Sequence, residues 1–136
     1  MAAKIVGGCM CGAVRYESTA DPVMQASCYC RDCQRSTGGA FAPVVLVPKD
    51  AFKLTKGKLK HYEVTGDSGN KVSRGFCADC GSPIIGVLSA MPFIGIKAGS
   101  LDDPNQFHPT ASIFVASAPK WAPHFAGVPT FARNPG

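Results

Sequence analysis

Seven cysteines stand in three tight groups: Cys9 and Cys11; Cys28, Cys30 and Cys33; Cys77 and Cys80. An odd number cannot be fully consumed by disulfides, and a bridge inside Cys9-Met10-Cys11 would be badly strained because disulfide geometry is narrow. Zinc gathers thiolates tetrahedrally at about 2.3 Å, and Cys-x-Cys or Cys-x-x-Cys spacings offer two neighbouring vertices from one turn of chain. Isolated buried cysteines commonly serve as small hydrophobes. Three clusters of them point instead to metal.

Spacing alone permits a zinc ribbon made from Cys30, Cys33, Cys77 and Cys80. The flanking residues favour another division. Gly12 follows Cys9-Met10-Cys11, and Gly81 follows Cys77-Ala78-Asp79-Cys80. A glycine there permits positive φ and lets backbone N–H groups turn toward the thiolates. Cys33 is followed by Gln34 and Arg35 instead. The expected pairing is therefore a closed site of Cys9, Cys11, Cys77 and Cys80, leaving Cys28, Cys30 and Cys33 with three ligands. Three protein ligands plus an exchangeable position is the arrangement of catalytic zinc. The alternative, a second structural site closed by His61, His108 or His124, stays open at this level.

The elements that must position these ligands are short. Fifteen glycines and eleven prolines among 136 residues argue for many turns. Strands rich in β-branched or aromatic residues are predicted at Ala13–Ser18, Phe41–Val47, Phe52–Thr55, Lys60–Val64, Lys71–Phe76, Ile84–Val87, Phe93–Lys97 and Ser112–Val115. Turns are expected at Pro48-Lys49-Asp50, Gly66-Asp67-Ser68-Gly69 and Asp102-Asp103-Pro104-Asn105. Only Asp32–Thr37 reads as helical, with Asp32 as its cap and Gly38-Gly39 as its stop. The fold expected is all-β, in one domain spanning residues 1–136.

Hydrophobic residues make up 46% and charged residues 17%, a globular composition. The N-terminal residues contain no apolar stretch of signal-peptide length, and no run approaches a membrane span. The chain is expected to be cytoplasmic, where thiols stay reduced. The net charge of +5 is mild, and Lys53, Lys56, Lys58 and Lys60 form its one local cluster. No arginine-rich tail or aromatic-interleaved basic stripe recommends nucleic acid as a partner.

The chain resembles the glutathione-dependent formaldehyde-activating (GFA) family, which also includes centromere protein V. The likeness lies in Gly7-Gly8-Cys9-Met10-Cys11-Gly12-Ala13-Val14-Arg15-Tyr16, in Cys28-Tyr29-Cys30-Arg31-Asp32-Cys33-Gln34-Arg35-Ser36-Thr37-Gly38 and in Arg74-Gly75-Phe76-Cys77-Ala78-Asp79-Cys80-Gly81-Ser82-Pro83. Gly99-Ser100-Leu101-Asp102-Asp103-Pro104 and the late Trp121 also fit. Ser112 departs from the pattern, since members often carry a histidine just before the late Ile-Phe strand.

The resemblance implies an Mss4-like, or β-tent, fold with two zinc ions per chain. One would be structural, on the four knuckle cysteines. The other would be catalytic, on Cys28, Cys30 and Cys33, with glutathione bound nearby. It implies a carbon–sulfur lyase that joins or releases formaldehyde and glutathione as S-(hydroxymethyl)glutathione. The two glutathione carboxylates make Arg31, Arg35 and Arg74 the candidate substrate-binding forks. The alternative reading is a zinc module that binds or carries glutathione or a related thiol without turnover. Ser36 and Thr37 are expected to close the short helix or bond substrate. The histidines read as structural or exposed, and Trp121, Phe114, Phe125 and Phe131 as late-packing core.

Overall fold

A computed structural model describes residues 4–66 and 69–133. Its strands are β1 (Ile5–Gly8), β2 (Arg15–Ser18), β3 (Met24–Cys28), β4 (Ala42–Pro48), β5 (Phe52–Lys56), β6 (Lys60–Thr65), β7 (Lys71–Phe76), β8 (Pro83–Leu88), β9 (Phe93–Lys97) and β10 (Ala111–Ile113). The α-helix α1 (Arg31–Thr37) follows β3. Strands β1, β2 and β5 form a small antiparallel sheet. The larger sheet has the order β10-β3-β4-β9-β8-β7-β6, with β10 parallel to β3 and every other pair antiparallel. The all-β architecture is the expected one.

The seven-stranded sheet has two unlike faces, because residues directly opposite one another across strands share a side. On one side Val45 pairs with Ile96 and Ile96 with Ile85. These residues, with Val47 and Ile84, pack against Ile5 and Tyr16 of the small sheet as the main core. Tyr16 also stacks on Phe52 with ring centroids 5.4 Å apart. Ile96 is fully buried there, so its truncation to alanine removes about 2–5 kcal/mol.

The other side carries chemistry. Arg74 on β7 opposes Gly86 on β8, and Gly86 opposes Gly95 on β9. Lys97, two residues beyond Gly95 on the same side, opposes Val44, and Cys28 opposes Ala42. Helix α1 covers this face through Cys33, which joins Cys28 and Ala42 in a second apolar cluster with Val44, Ile113 and Phe114 at its edge. Over Gly95 the floor is covered by Val44, whose Cγ1 would lie 2.7 Å from an added Cβ, whereas Gly86 leaves room above it. A Cβ built on Gly86 would lie 3.9 Å from Lys97 Nζ, so the lysine extends across the floor instead of away from it.

Strands absent from the sequence reading are β1 and β3. The late strand is also shorter than expected, because Phe114 adopts φ 55°, ψ 35° and turns the chain into the 3-10 turn Val115–Ser117. Trp121 is not core: it is 72% exposed, on a turn closed by Ala122 N–H donating to Pro119 O. Phe125 does pack, edge-on to Phe41. Of the expected turn at Gly66–Gly69, Asp67 and Ser68 lie outside the described residues, while Gly69 N–H donates to Gly66 O at 2.9 Å.

Candidate metal centres

The β1–β2 connection and the β7–β8 connection converge. Cys9, Cys11, Cys77 and Cys80 place their sulfurs within 4.8 Å of one another. Gly12 at φ +81° and Gly81 at φ +80° make the two turns, each donating its N–H to the carbonyl of the first cysteine, Cys9 and Cys77 respectively. Val14 N–H donates to Cys9 Sγ at 3.2 Å, and Ser82 Oγ joins Cys80 Sγ at 3.2 Å. Ser82 Oγ also accepts from Met10 N–H, bridging the two knuckles. Hydrogen bonding from Ser82 lowers the Cys80 thiol to about 5, which favours the thiolate.

The donor set fits zinc. Sulfurs at tetrahedral vertices about 2.3 Å from a centre stand about 3.8 Å apart. Cys9 and Cys11 are separated by 3.6 Å, and Cys11 and Cys77 by 3.8 Å. All seven cysteines are free of disulfides.

The second cluster is Cys28, Cys30 and Cys33, again with sulfurs within 4.8 Å of one another. Cys28 ends β3, and Cys30 and Cys33 belong to the first turn of α1 and its cap. Asp32 is not that cap. Cys30 occupies the cap position with extended φ and ψ, and its Sγ accepts the Cys33 N–H at 3.3 Å. The sulfur thus satisfies an orphan helix N–H while facing its two neighbours. Gly38, at φ +74°, ends the helix as expected. Hydrogen bonds from Cys28 and then Cys30 hold the Cys33 thiol well below the ordinary thiol range, aided by Lys97 and Arg74, while Cys28 is raised. Among the described residues no histidine nitrogen joins either cluster. His61 Nδ1 meets Ser73 Oγ, His108 N–H donates to Gln25 Oε1, and His124 stacks on Tyr29.

Of the three expected arginines, Arg74 reaches the cluster: its Nη2 lies 4.0 Å from Cys33 Sγ. Arg31 donates to Gln34 Oε1 and Arg35 stands exposed in the last turn of α1. Gln34 itself is buried and donates to Tyr29 O and Ser117 O, fixing the helix to the late segment. Thr37 Oγ1 donates to Cys33 O, so its hydroxyl is engaged within the helix. Sequence reasoning missed Lys97, which is only 7% exposed. A lysine at the end of Phe-Ile-Gly-Ile reads as a strand-end surface charge, and only the sheet register reveals it. Lys97 and Arg74 line one pocket of about 250 Å³ together with Ser36, Tyr62 and Phe76.

Comparison with known proteins bears on this geometry. Residues 4–117 match the family model described as glutathione-dependent formaldehyde-activating enzyme. The fold is similar to the crystal structure of a Rhodobacter sphaeroides protein, with a TM-score of 0.58 at 19% identity, covering 93% of this chain and 98% of that one.

Proposed function

The chain belongs to the glutathione-dependent formaldehyde-activating enzyme family, and from that premise we propose that it is a zinc-dependent carbon–sulfur lyase joining or releasing formaldehyde and the thiol of glutathione. One observation carries the reading: three sulfurs converge without a fourth protein donor among the described residues, on a face where two cations also gather. The closed four-cysteine cluster takes the structural role, since it ties β1–β2 to β7–β8, segments 66 residues apart from Cys11 to Cys77.

Cys28, Cys30 and Cys33 would hold a zinc ion, which would supply an exchangeable position favouring the thiolate form of a bound thiol at neutral pH. The protein does the rest by positioning. Helix α1 and β3 hold the three sulfurs in register, and Gln34 locks the helix against the late segment. Arg74 directs Nη2 toward Cys33, placing positive charge beside the cluster. Arg31 and Arg35, both exposed on α1, are the side chains assigned to meet the substrate's carboxylates. Nucleophile and aldehyde are thereby brought together in one apolar-walled site, which is the main source of acceleration for such an addition.

X-ray absorption tests the reading. With two zinc ions bound, average sulfur ligation is expected to rise from about 3.5 to about 4 per zinc when glutathione is added. An unchanged spectrum at saturating glutathione overturns thiol entry at this metal. Rates of S-(hydroxymethyl)glutathione formation above the spontaneous background then separate an enzyme from a thiol carrier.

A further inference from the structure

The reading above uses Lys97 only as positive charge near the three sulfurs, yet its position is unusual. It is 7% exposed and lies on β9 in the interior of the large sheet. Its pocket neighbours are Ser36, Tyr62, Arg74, Gly75, Phe76 and others without a single carboxylate. Arg74 is similarly unmatched: Nη2 faces Cys33, while its Nε is buried without a partner. Buried cations without a counter-charge are unfavourable, so an anion is expected to complete the pair.

The charges say what kind. Three thiolates and one divalent cation leave a single negative charge, against the two positive charges of Arg74 and Lys97. The surplus is that of one monoanion. An incoming thiolate fills it. When that thiolate adds to an aldehyde the total charge does not change, but it moves from sulfur to oxygen. The new S–C bond forms as the C=O π pair passes to oxygen. The alkoxide then takes a proton from water, balancing the proton the thiol released on binding.

We propose that Lys97, with Arg74 beside it, is an oxyanion seat for the oxygen that turns from carbonyl to alkoxide. This rests on the thiol-addition reading above and extends it by assigning a catalytic residue that touches the substrate oxygen. The seat lies on the correct side: Lys97 and Cys28 share the sheet face covered by α1, and Ser36 of the pocket stands one helical turn after Cys33. Donors preorganised at a developing oxyanion are worth more than donors recruited from water.

Mercaptoacetate places an oxyanion three bonds from its thiol sulfur, one more than the adduct's oxygen, and cannot react further; β-mercaptoethanol is its uncharged counterpart. On zinc-loaded protein, calorimetry is expected to show mercaptoacetate binding at least about tenfold tighter than β-mercaptoethanol, a preference lost in Lys97→Met and kept in Lys97→Arg. In exchange NMR with labelled formaldehyde and glutathione, Lys97→Met is expected to lose about 100-fold in catalysed rate with glutathione affinity within about threefold. Zinc content and melting temperature establish that each variant is folded. A preference that is absent, or that survives in both variants, overturns the seat, and so does an unchanged catalysed rate. If wild-type turnover equals background while the Lys97-dependent preference persists, the lyase reading falls and the seat stands as an anion site.

Discussion

The phenolic oxygen of Tyr16 lies 2.6 Å from Ser100 Oγ, and that same hydroxyl donates to Lys97 O at 2.7 Å. The chain of contacts runs from the small sheet to the backbone of the buried lysine. Arg15 and Asp102, on either side of it, make a two-pronged ion pair. The Gly99–Asp102 motif therefore acts as a clasp between the two sheets.

Removing one member of that clasp has a pH signature. Burial pushes the Tyr16 phenol up to about 12, so the folded state prefers it neutral. That contribution is complete below the unfolded value near 10 and declines as pH rises toward about 12. Tyr16→Phe is expected to cost about 1 kcal/mol at pH 7, and denaturant titrations should show the gap to wild type closing between about pH 10 and pH 12.

Substitution of the cysteines separates the clusters. Cys11→Ser and Cys80→Ser break the link between two distant turns, and are expected to yield insoluble or molten protein. Cys30→Ser retains an oxygen at the helix cap, so it should remain folded and carry one zinc by native mass spectrometry. Cys30→Ala loses the cap as well, for about 1 kcal/mol more. Equal loss of melting temperature in Cys11→Ser, Cys80→Ser and Cys30→Ser would reverse the division into structural and reactive sites.

Arg35 is expected to recognise a carboxylate of the substrate. Arg35→Ala should weaken glutathione binding about tenfold in calorimetry while leaving β-mercaptoethanol, which has no carboxylate, nearly unaffected.

Two glycines near the first knuckle respond differently to a methyl group. At Gly7 an added Cβ would fall on Ser100 O and the Tyr16 phenolic oxygen, and Gly7→Ala is expected to cost about 3 kcal/mol. Gly12 has open space but φ +81°, so Gly12→Ala should cost only about 1 kcal/mol. Thermal melts of the zinc-loaded proteins rank the two.

Much of this arrangement was legible in sequence where local chemistry decides. Lys71–Phe76 and Phe93–Lys97 carry β-branched and aromatic residues between clear turns, and both strands have the expected bounds. The sulfurs also gather four and three, as the glycine after each knuckle implied. Strand β1 ends in Gly7-Gly8, and β3 reads Met-Gln-Ala-Ser-Cys, neither of which has strand propensity. Ala26, Ser27 and Cys28 are small because they are buried, a tertiary demand invisible locally. Asp32 is a good cap by type but loses to a sulfur already held at the helix start. Lys97 became visible only through its pairing with Val44, which no local pattern encodes.

Arg74 and Cys77 stand on one segment, with the pairing of β7 to β8 shifting register between Gly75 and Phe76. That irregularity is a ruler. Upstream of it the strand aims a guanidinium at Cys33; immediately downstream it delivers the first sulfur of the other cluster. A one-residue insertion there would swap the sides to which these groups point. Insertions between the two motifs should therefore be tolerated at the β6–β7 turn but not here. Anyone transplanting the three-cysteine face onto a different β scaffold must carry the stretch from Arg74 to Cys80 intact.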